Sequence, residues 1–245
     1  MQAAFIIGKP DTLNPEVQRF AQAPLRRTAF LNSVPKCGTH LLRNIVRMFV
    51  PIQQHYDREF LQMPNFDQHR GALDPMRPTF SCGHMLYADA PALALRHAHH
   101  VILVRDPFDY VLARARFAFS DEFRHPGLEA LKAGASVEQM INFMIFGIPA
   151  KGPAVREVFT FHAVAWMGTG AHLVRYEDIV RELARLDSPE AEAFFADLLG
   201  RFGLGALPAD WRDRVRVGSD RKHSVTAREQ LKGVLFPMRL GPPDL

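Results

Sequence analysis

The segment His100 to Arg105, HVILVR, places four aliphatic residues in a row. A strand with one wet face alternates apolar and polar residues. A strand buried on both faces is apolar throughout, as in a parallel sheet covered by helices. Similar runs occur at Thr28 to Val34 (TAFLNSV) and Ala171 to Tyr176 (AHLVRY), with a weaker one at Thr79 to Gly83 (TFSCG). Helical patterns lie between them. In Thr39 to Val50, Leu41, Leu42, Ile45, Val46 and Phe49 share one face, and Arg43, Asn44 and Arg47 the other. Further helices are expected at Asp109 to Phe119 and Val155 to Met167. Ser188-Pro189 supplies an N-cap and first helical residue for another, with Gly200 as its stop. This alternation predicts βαβ units, hence an α/β fold with a central parallel sheet flanked by helices.

The 245 residues, 47% hydrophobic and 23% charged, suit one large domain over 1–245 and exclude disorder, collagen and coiled coil. No linker separates domains. Pro51 to Pro78 and Ser120 to Pro153 break the alternation with Pro, Gly, Met and aromatics, so 51–80 and 120–153 are expected to be loops or insertions over a site. The N-terminus lacks the features of a signal peptide. The stretch Phe143 to Ala150, broken by Gly147 and Pro149, is too short to span a bilayer. Two cysteines, Cys37 and Cys82, exclude a disulfide scaffold and point to a reducing, cytoplasmic setting. Peripheral membrane contact stays open. The net charge of +4 is too small to call for nucleic acid and fits a small anionic ligand.

The sharpest motif is FLNSVPKCGTHLL, Phe30 to Leu42. A strand runs through a short turn into an amphipathic helix. The first N–H groups of such a helix lack intrahelical partners and sit at its positive end, which makes an anion site. Gly38 allows close backbone approach, Thr39 offers a hydroxyl and Lys36 a charge. The pattern GxxxxGK[ST] is absent. An ordinary strand–helix turn with a capping Thr and a surface Lys meets the same description, and both readings stand at this point.

Pro35 to Thr39, PKxGT after a strand, resembles the 5′-phosphosulfate loop of the sulfotransferases that use 3′-phosphoadenosine 5′-phosphosulfate (PAPS). The block Gly83 to Phe117 is similar to that family's middle region. There a His is followed by a helix, a buried strand ending in Arg-[Asn/Asp]-Pro-x-Asp, and another helix. Here the His is His84 and the ending is Arg105-Asp106-Pro107-Phe108-Asp109. AHLVRYEDIV, Ala171 to Val180, resembles the family's strand ending in Tyr-Glu-Asp, with Trp166 upstream. Each motif alone is weak; in this order they are specific.

The resemblance implies a P-loop NTPase-like three-layer sandwich of the sulfotransferase type. It implies transfer of a sulfuryl group from PAPS to a hydroxyl, less readily an amine, of a small-molecule, lipid or carbohydrate acceptor. The product would be 3′-phosphoadenosine 5′-phosphate (PAP), with no metal required. Lys36 would stabilise charge on the leaving phosphate oxygen, and His84 would be the general base. Lys36, Cys37, Gly38, Thr39 and His40 would hold the donor's 5′ end, and Leu41 would lie at the donor's adenine-stacking position. Arg105 and the position of Ala113 would face its 3′-phosphate, as would Arg221 and Lys222 in GSDRKHS. Tyr176 would lie near the adenine.

Several readings are structural. Glu177 and Asp178 read as caps, Asp109 as an early-helix acid and Trp166 as core. A salt bridge to Asp106 or Asp109 is the plain alternative for Arg105. His97, His99 and His100 read as surface or helix-end residues without a metal-ligand set. Tyr56, Phe60, Met63, Phe66, Phe143, Met144 and Phe146 are expected in the acceptor pocket. Cys37 and Cys82 read as small buried hydrophobes.

The chain departs from the family at several points. Ala113 replaces a phosphate-binding Ser, and helical geometry puts neither Arg114 nor Arg116 on its face. Leu41 stands where an adenine-stacking Trp is frequent, and Cys37 and His40 where Ser or Thr is common. GSDRKHS lacks the family's Gly spacing. Two alternatives follow: a non-catalytic or weakly PAPS-binding chain, or a nucleotide-dependent phosphotransferase. The second needs a Lys-[Ser/Thr] pair, whereas Cys37 follows Lys36 here. The oligomeric state, monomer or homodimer, is open.

Overall fold

The computed structural model describes residues 5–6, 10–120, 123–124 and 128–224. In chain order its elements are β1 (Phe5–Ile6), α1 (Asn14–Val17), β2 (Ala29–Ser33), α2 (Thr39–Arg47), β3 (Phe80–Gly83), α3 (Asp89–Leu95), β4 (His99–Val104) and α4 (Pro107–Ala118). They continue with β5 (Phe123–Arg124), α5 (Glu129–Gly134), α6 (Val137–Phe146), α7 (Val155–His162), β6 (His172–Arg175), α8 (Tyr176–Ala184), α9 (Pro189–Arg201) and α10 (Trp211–Ser219). β1 and β5 form a small antiparallel pair. The main sheet has the order β3-β2-β4-β6. All its pairings are parallel, with Leu31 opposite both Cys82 and Val101.

All five residues of β2 are buried, as are Val101, Ile102 and Leu103 of β4. Leu42, Ile45 and Val46 of α2 are buried in the same core. Each such side chain contributes about 1.5–3 kcal/mol by leaving water. The polar face of α2 is not solvated either. Arg47 is buried and donates to Asp11 at 2.6 Å and to Asn14 at 2.6 Å. Parallel strands carry their carboxyl ends to one edge of the sheet. The turns after β2, β3, β4 and β6 therefore open on that edge, where open α/β sheets hold their ligands.

The local differences from expectation have identifiable causes. The helix from Val155 stops at His162, and a 3₁₀ turn, Val164–Trp166, follows. The break at Ala163 (φ −132°, ψ −62°) accompanies the burial of Trp166, whose Nε1 donates to the Met85 carbonyl at 3.2 Å. α9 runs one residue past Gly200. The residue in the left-handed region is Gly203 (φ 73°), where a Cβ would lie 2.3 Å from His99 Nε2.

The stretch 51–80 folds into 3₁₀ turns. The second interruption contains α5 and α6. The N-terminus of α6 is a capping box, in which Ser136 N–H donates to Gln139 Oε1 at 2.9 Å and Gln139 N–H to Ser136 Oγ at 3.2 Å. Among the described residues no helix is long and apolar enough to cross a membrane.

Candidate active site

The turn between β2 and α2 holds two residues in the left-handed region, Lys36 (φ 65°) and Gly38 (φ 97°). Such turns point successive backbone N–H groups into one concavity, an anion nest. Gly38 has a second reason to lack a side chain: a Cβ there would lie 2.4 Å from the Tyr176 ring. Cys37 is buried beneath the loop, against the Arg105 backbone. Burial pushes its thiol far above the usual range, which opposes any redox role. The Thr39 and Ser33 hydroxyls lie 2.6 Å apart, which locks the helix start onto the end of β2.

His84 follows β3 directly. Its backbone N–H donates to the Leu61 carbonyl at 2.9 Å. That carbonyl comes so close that a Cβ on Gly83 would lie 2.2 Å from it. His84 Nδ1 is 2.7 Å from the Ser33 carbonyl oxygen and 3.1 Å from Ser33 Oγ. A carbonyl only accepts, so Nδ1 carries the proton and Nε2 the lone pair. The Phe60 ring packs edge-on, with centroids 4.6 Å apart. Burial pushes the imidazole down to about 3, and nearby His162, His40 and Lys36 add to that. The bond to Ser33 acts against it. His84 is a neutral imidazole with one basic nitrogen.

Arg105 lies just past β4, its guanidinium 4.7 Å from the Tyr176 ring centroid. Its Nε is buried and has no hydrogen-bond partner among the described residues. Asp106 does not neutralise it. The Asp106 carboxylate caps α4, accepting from Phe108 N–H at 2.9 Å and Asp109 N–H at 3.3 Å. Glu177 Oε1 accepts from the Asp106 N–H at 2.8 Å, tying α8 to this corner. Among the described residues no ion pair joins Arg105 to Asp106 or Asp109. A buried donor left without a partner marks a place for a ligand acceptor.

These elements border one cavity of about 1000 Å³. Lys36, Gly38, Thr39, His40, Leu41, His84, Arg105, Ala113, Tyr176 and Arg221 line it; Cys37 and Lys222 do not. The Lys36 ammonium sits 3.5 Å from the Phe117 ring centroid. His40 Nδ1 is buried without a partner among the described residues, and burial, with Arg43 and Lys36 beside it, pushes its pKa down to about 4. Lys222 turns away and pairs with Asp220 at 3.2 Å. The 3₁₀ turn Arg221–His223 is held by His223, whose Nδ1 lies 2.8 Å from Thr12 Oγ1 and whose carbonyl accepts from Asn44 Nδ2 at 3.0 Å.

Other expected residues lie elsewhere. Of the aromatics and methionines expected around the acceptor, Phe60 and Met144 line the cavity. Tyr56 bonds to His69 at 2.8 Å, Phe66 is core and Phe146 is 77% exposed. His100 is not a surface residue; it is buried in β4 between the rings of Phe30 and Trp166. Arg114 and Arg116 both reach the cavity, contrary to the helical-face expectation. α4 presents Tyr110, Ala113, Arg114 and Phe117 to it, which is the i, i+3, i+4, i+7 stripe of one helix face. That stripe was the available signal for Arg114. Nothing local pointed to His162, which α7 supplies.

No protein-family model matches the chain, and no curated protein matches it. Solved structures similar to it include the following two. One is mouse sulfotransferase SULT7A1 complexed with PAP, at 13% identity and a TM-score of 0.47, covering 86% of this chain and 69% of that one. The other is retinol dehydratase in complex with androsterone and inactive cofactor PAP, at 14% identity and a TM-score of 0.49, covering 82% of this chain and 65% of that one. The chain thus spans about two thirds of the length of each.

Proposed function

We propose that the protein is a PAPS-dependent sulfotransferase acting on the hydroxyl group of a small-molecule, lipid or carbohydrate acceptor. The observation that carries this is the meeting, in one cavity, of the Lys36–Gly38 turn, the basic Nε2 of His84 and the unpartnered Nε of Arg105. A nest of N–H groups suits the 5′-phosphosulfate, and a buried guanidinium suits the 3′-phosphate. PAPS would supply the sulfuryl group; PAP would remain.

In this reading His84 Nε2 accepts the acceptor's hydroxyl proton. The hydroxyl oxygen uses its electron pair for the new O–S bond. The bond from sulfur to the bridging oxygen breaks, and its pair leaves on the 5′-phosphate. Lys36 stabilises the charge that develops there. Arg105 and Tyr176 orient the nucleotide, and Arg221 closes over it. We place residues 1–245 in a single domain in the cytoplasm, where two buried free thiols stay reduced.

Ala113 lines the cavity without a hydroxyl and Leu41 without an aromatic ring, so weak or absent donor binding is the alternative. A turnover assay with PAPS over a broad acceptor panel tests the proposal, with ATP and Mg²⁺ as the control donor. Sulfated product is expected. The absence of both PAP binding and turnover would sink the enzyme reading, and turnover with ATP and Mg²⁺ alone would revive a phosphotransferase.

A further inference from the structure

Ser33, the last residue of β2, is fully buried and stands between the turn and the base. Its hydroxyl oxygen lies 2.6 Å from Thr39 Oγ1 and 3.1 Å from His84 Nδ1. Its carbonyl oxygen lies 2.7 Å from the same nitrogen. Thr39 opens α2 and lines the cavity, whereas Ser33 does not. Among the described residues the Thr39 hydroxyl has no other hydrogen-bond partner. The residue before Ser33 holds the residue after His84. Asn32 Oδ1 accepts from the Met85 N–H at 2.9 Å, and Asn32 Nδ2 donates to the Met85 carbonyl at 3.2 Å. The end of β2 thus fixes both the backbone and the ring of the base.

The protons of this cluster can be counted. The Ser33 carbonyl only accepts, so His84 Nδ1 carries a hydrogen and donates it. Ser33 Oγ then faces one nitrogen that cannot accept and one hydroxyl that can. A buried hydroxyl proton takes the acceptor within its reach, so Ser33 O–H donates to Thr39 Oγ1. Thr39 keeps its own proton for the cavity. All three donors then run one way, from the imidazole through two hydroxyls to the start of α2.

We propose that the Ser33 and Thr39 hydroxyls couple the two halves of the site, so that an anion held at the start of α2 makes His84 Nε2 a stronger base. Ser33 is a positioning residue in this scheme. The use of Nε2 as a base rests on the sulfotransferase reading; the order of the hydrogen bonds does not. An anion accepting from Thr39 O–H makes that oxygen a better acceptor for Ser33, and Ser33 in turn a better acceptor for Nδ1–H. A stronger bond at Nδ1–H raises the basicity of the other ring nitrogen. No proton leaves along the chain. Three other titratable groups act on the imidazole: His162 of α7, His40 of α2 and Lys36 of the turn. All three oppose its protonation, and none stands between Thr39 and Nδ1.

The test is NMR of the protein with isotope-labelled histidine near neutral pH, titrated with inorganic pyrophosphate and, separately, with PAP. The Nδ1–H signal of His84, identified by its loss in His84→Gln, should move downfield as either anion saturates the protein. Ser33→Ala keeps the carbonyl contact and hence the tautomer. It should still bind the anion, and the downfield shift should be lost. Thr39→Ser should keep the shift and Thr39→Val lose it, and this pair decides if Ser33→Ala does not fold. In a sulfation assay Ser33→Ala should lower kcat by about tenfold with KM for PAPS unchanged, the scale of one hydrogen bond. A purely structural Ser33 would cost stability and leave the shift intact. An equal shift in Ser33→Ala means that the anion's field acts alone, and overturns the proposal. So does binding without a shift in the wild type, or binding of neither anion. The shift without sulfation sinks the sulfotransferase reading and leaves the coupling standing. Sulfation without the shift does the reverse.

Discussion

The ring of Tyr176 lies against the α-carbon of Gly38, where a Cβ would stand 2.4 Å from Cδ2. The start of α8, after the last strand of the sheet, thus fixes what residue can occupy the turn after β2. Gly38→Ala meets this clash and a φ of 97° together. It should destabilise the fold by about 1–3 kcal/mol and abolish thermal stabilisation by PAP. Adding Tyr176→Ala should recover part of the stability, because it removes the clash, but not the PAP response. Melting temperatures with and without PAP check both.

His84 should act as a base without an acidic limb near the ordinary histidine range. Its pKa is about 3, so the imidazole is already neutral through pH 5 to 8. The pH profile of kcat/KM for sulfation is expected to stay level as pH falls from about 8 to 5, rather than halving near 6.5. His84→Ala should lower kcat by about 10²–10⁴ while PAP still stabilises the protein. A variant with near-normal turnover would remove His84 as the base.

Arg105 should dominate donor binding. PAP at about 100 times its Kd should stabilise the fold by about 2.7 kcal/mol. Arg105→Ala should remove most of this shift. Arg105→Lys should not restore it, since an ammonium neither stacks on Tyr176 in the same way nor offers a planar fork. Lys222→Ala should retain most of it, because Lys222 does not line the cavity and its ammonium pairs with Asp220 at 3.2 Å. Thermal-shift titrations of the three variants decide this.

Stability should fall in mild acid. His40, His84 and His100 have folded pKa values of about 4, 3 and 3. Below about pH 6.5 the unfolded chain takes up protons that the folded chain refuses, so the fold loses stability progressively as pH drops toward 3. Each histidine adds a slope of at most about 1.4 kcal/mol per pH unit. His100→Phe should flatten the curve, since Nε2 of His100 has no partner among the described residues and its neighbours are aromatic. Chemical denaturation between pH 4 and 7 measures it.

Much of this was legible in the residues. The aliphatic run of β4, the Ser188 cap of α9, which accepts from Ala191 N–H at 3.1 Å, and the strand–turn–helix around Lys36 are local patterns. Local patterns obey local physics: pleat, helical period and capping. The helices between 120 and 153 were masked by Pro and Gly at their edges. The burial of His100 depends on Phe30 and Trp166, which are remote in sequence.

The sequence by itself determined a parallel α/β sheet and the order of a turn, a histidine and an arginine at successive strand ends. Tertiary structure decided which of their neighbours reach one cavity. It turned Arg221 toward the site and Lys222 away. It gave Nδ1 of His84 a carbonyl partner and left Nε2 basic. It brought Arg114 to the cavity beside Ala113, where the Pro153 and Met144 carbonyls hold it. The direction of a side chain at a helix face or strand end is set by whatever packs against it. Those contacts come from elements dozens of residues away, and no local pattern encodes them.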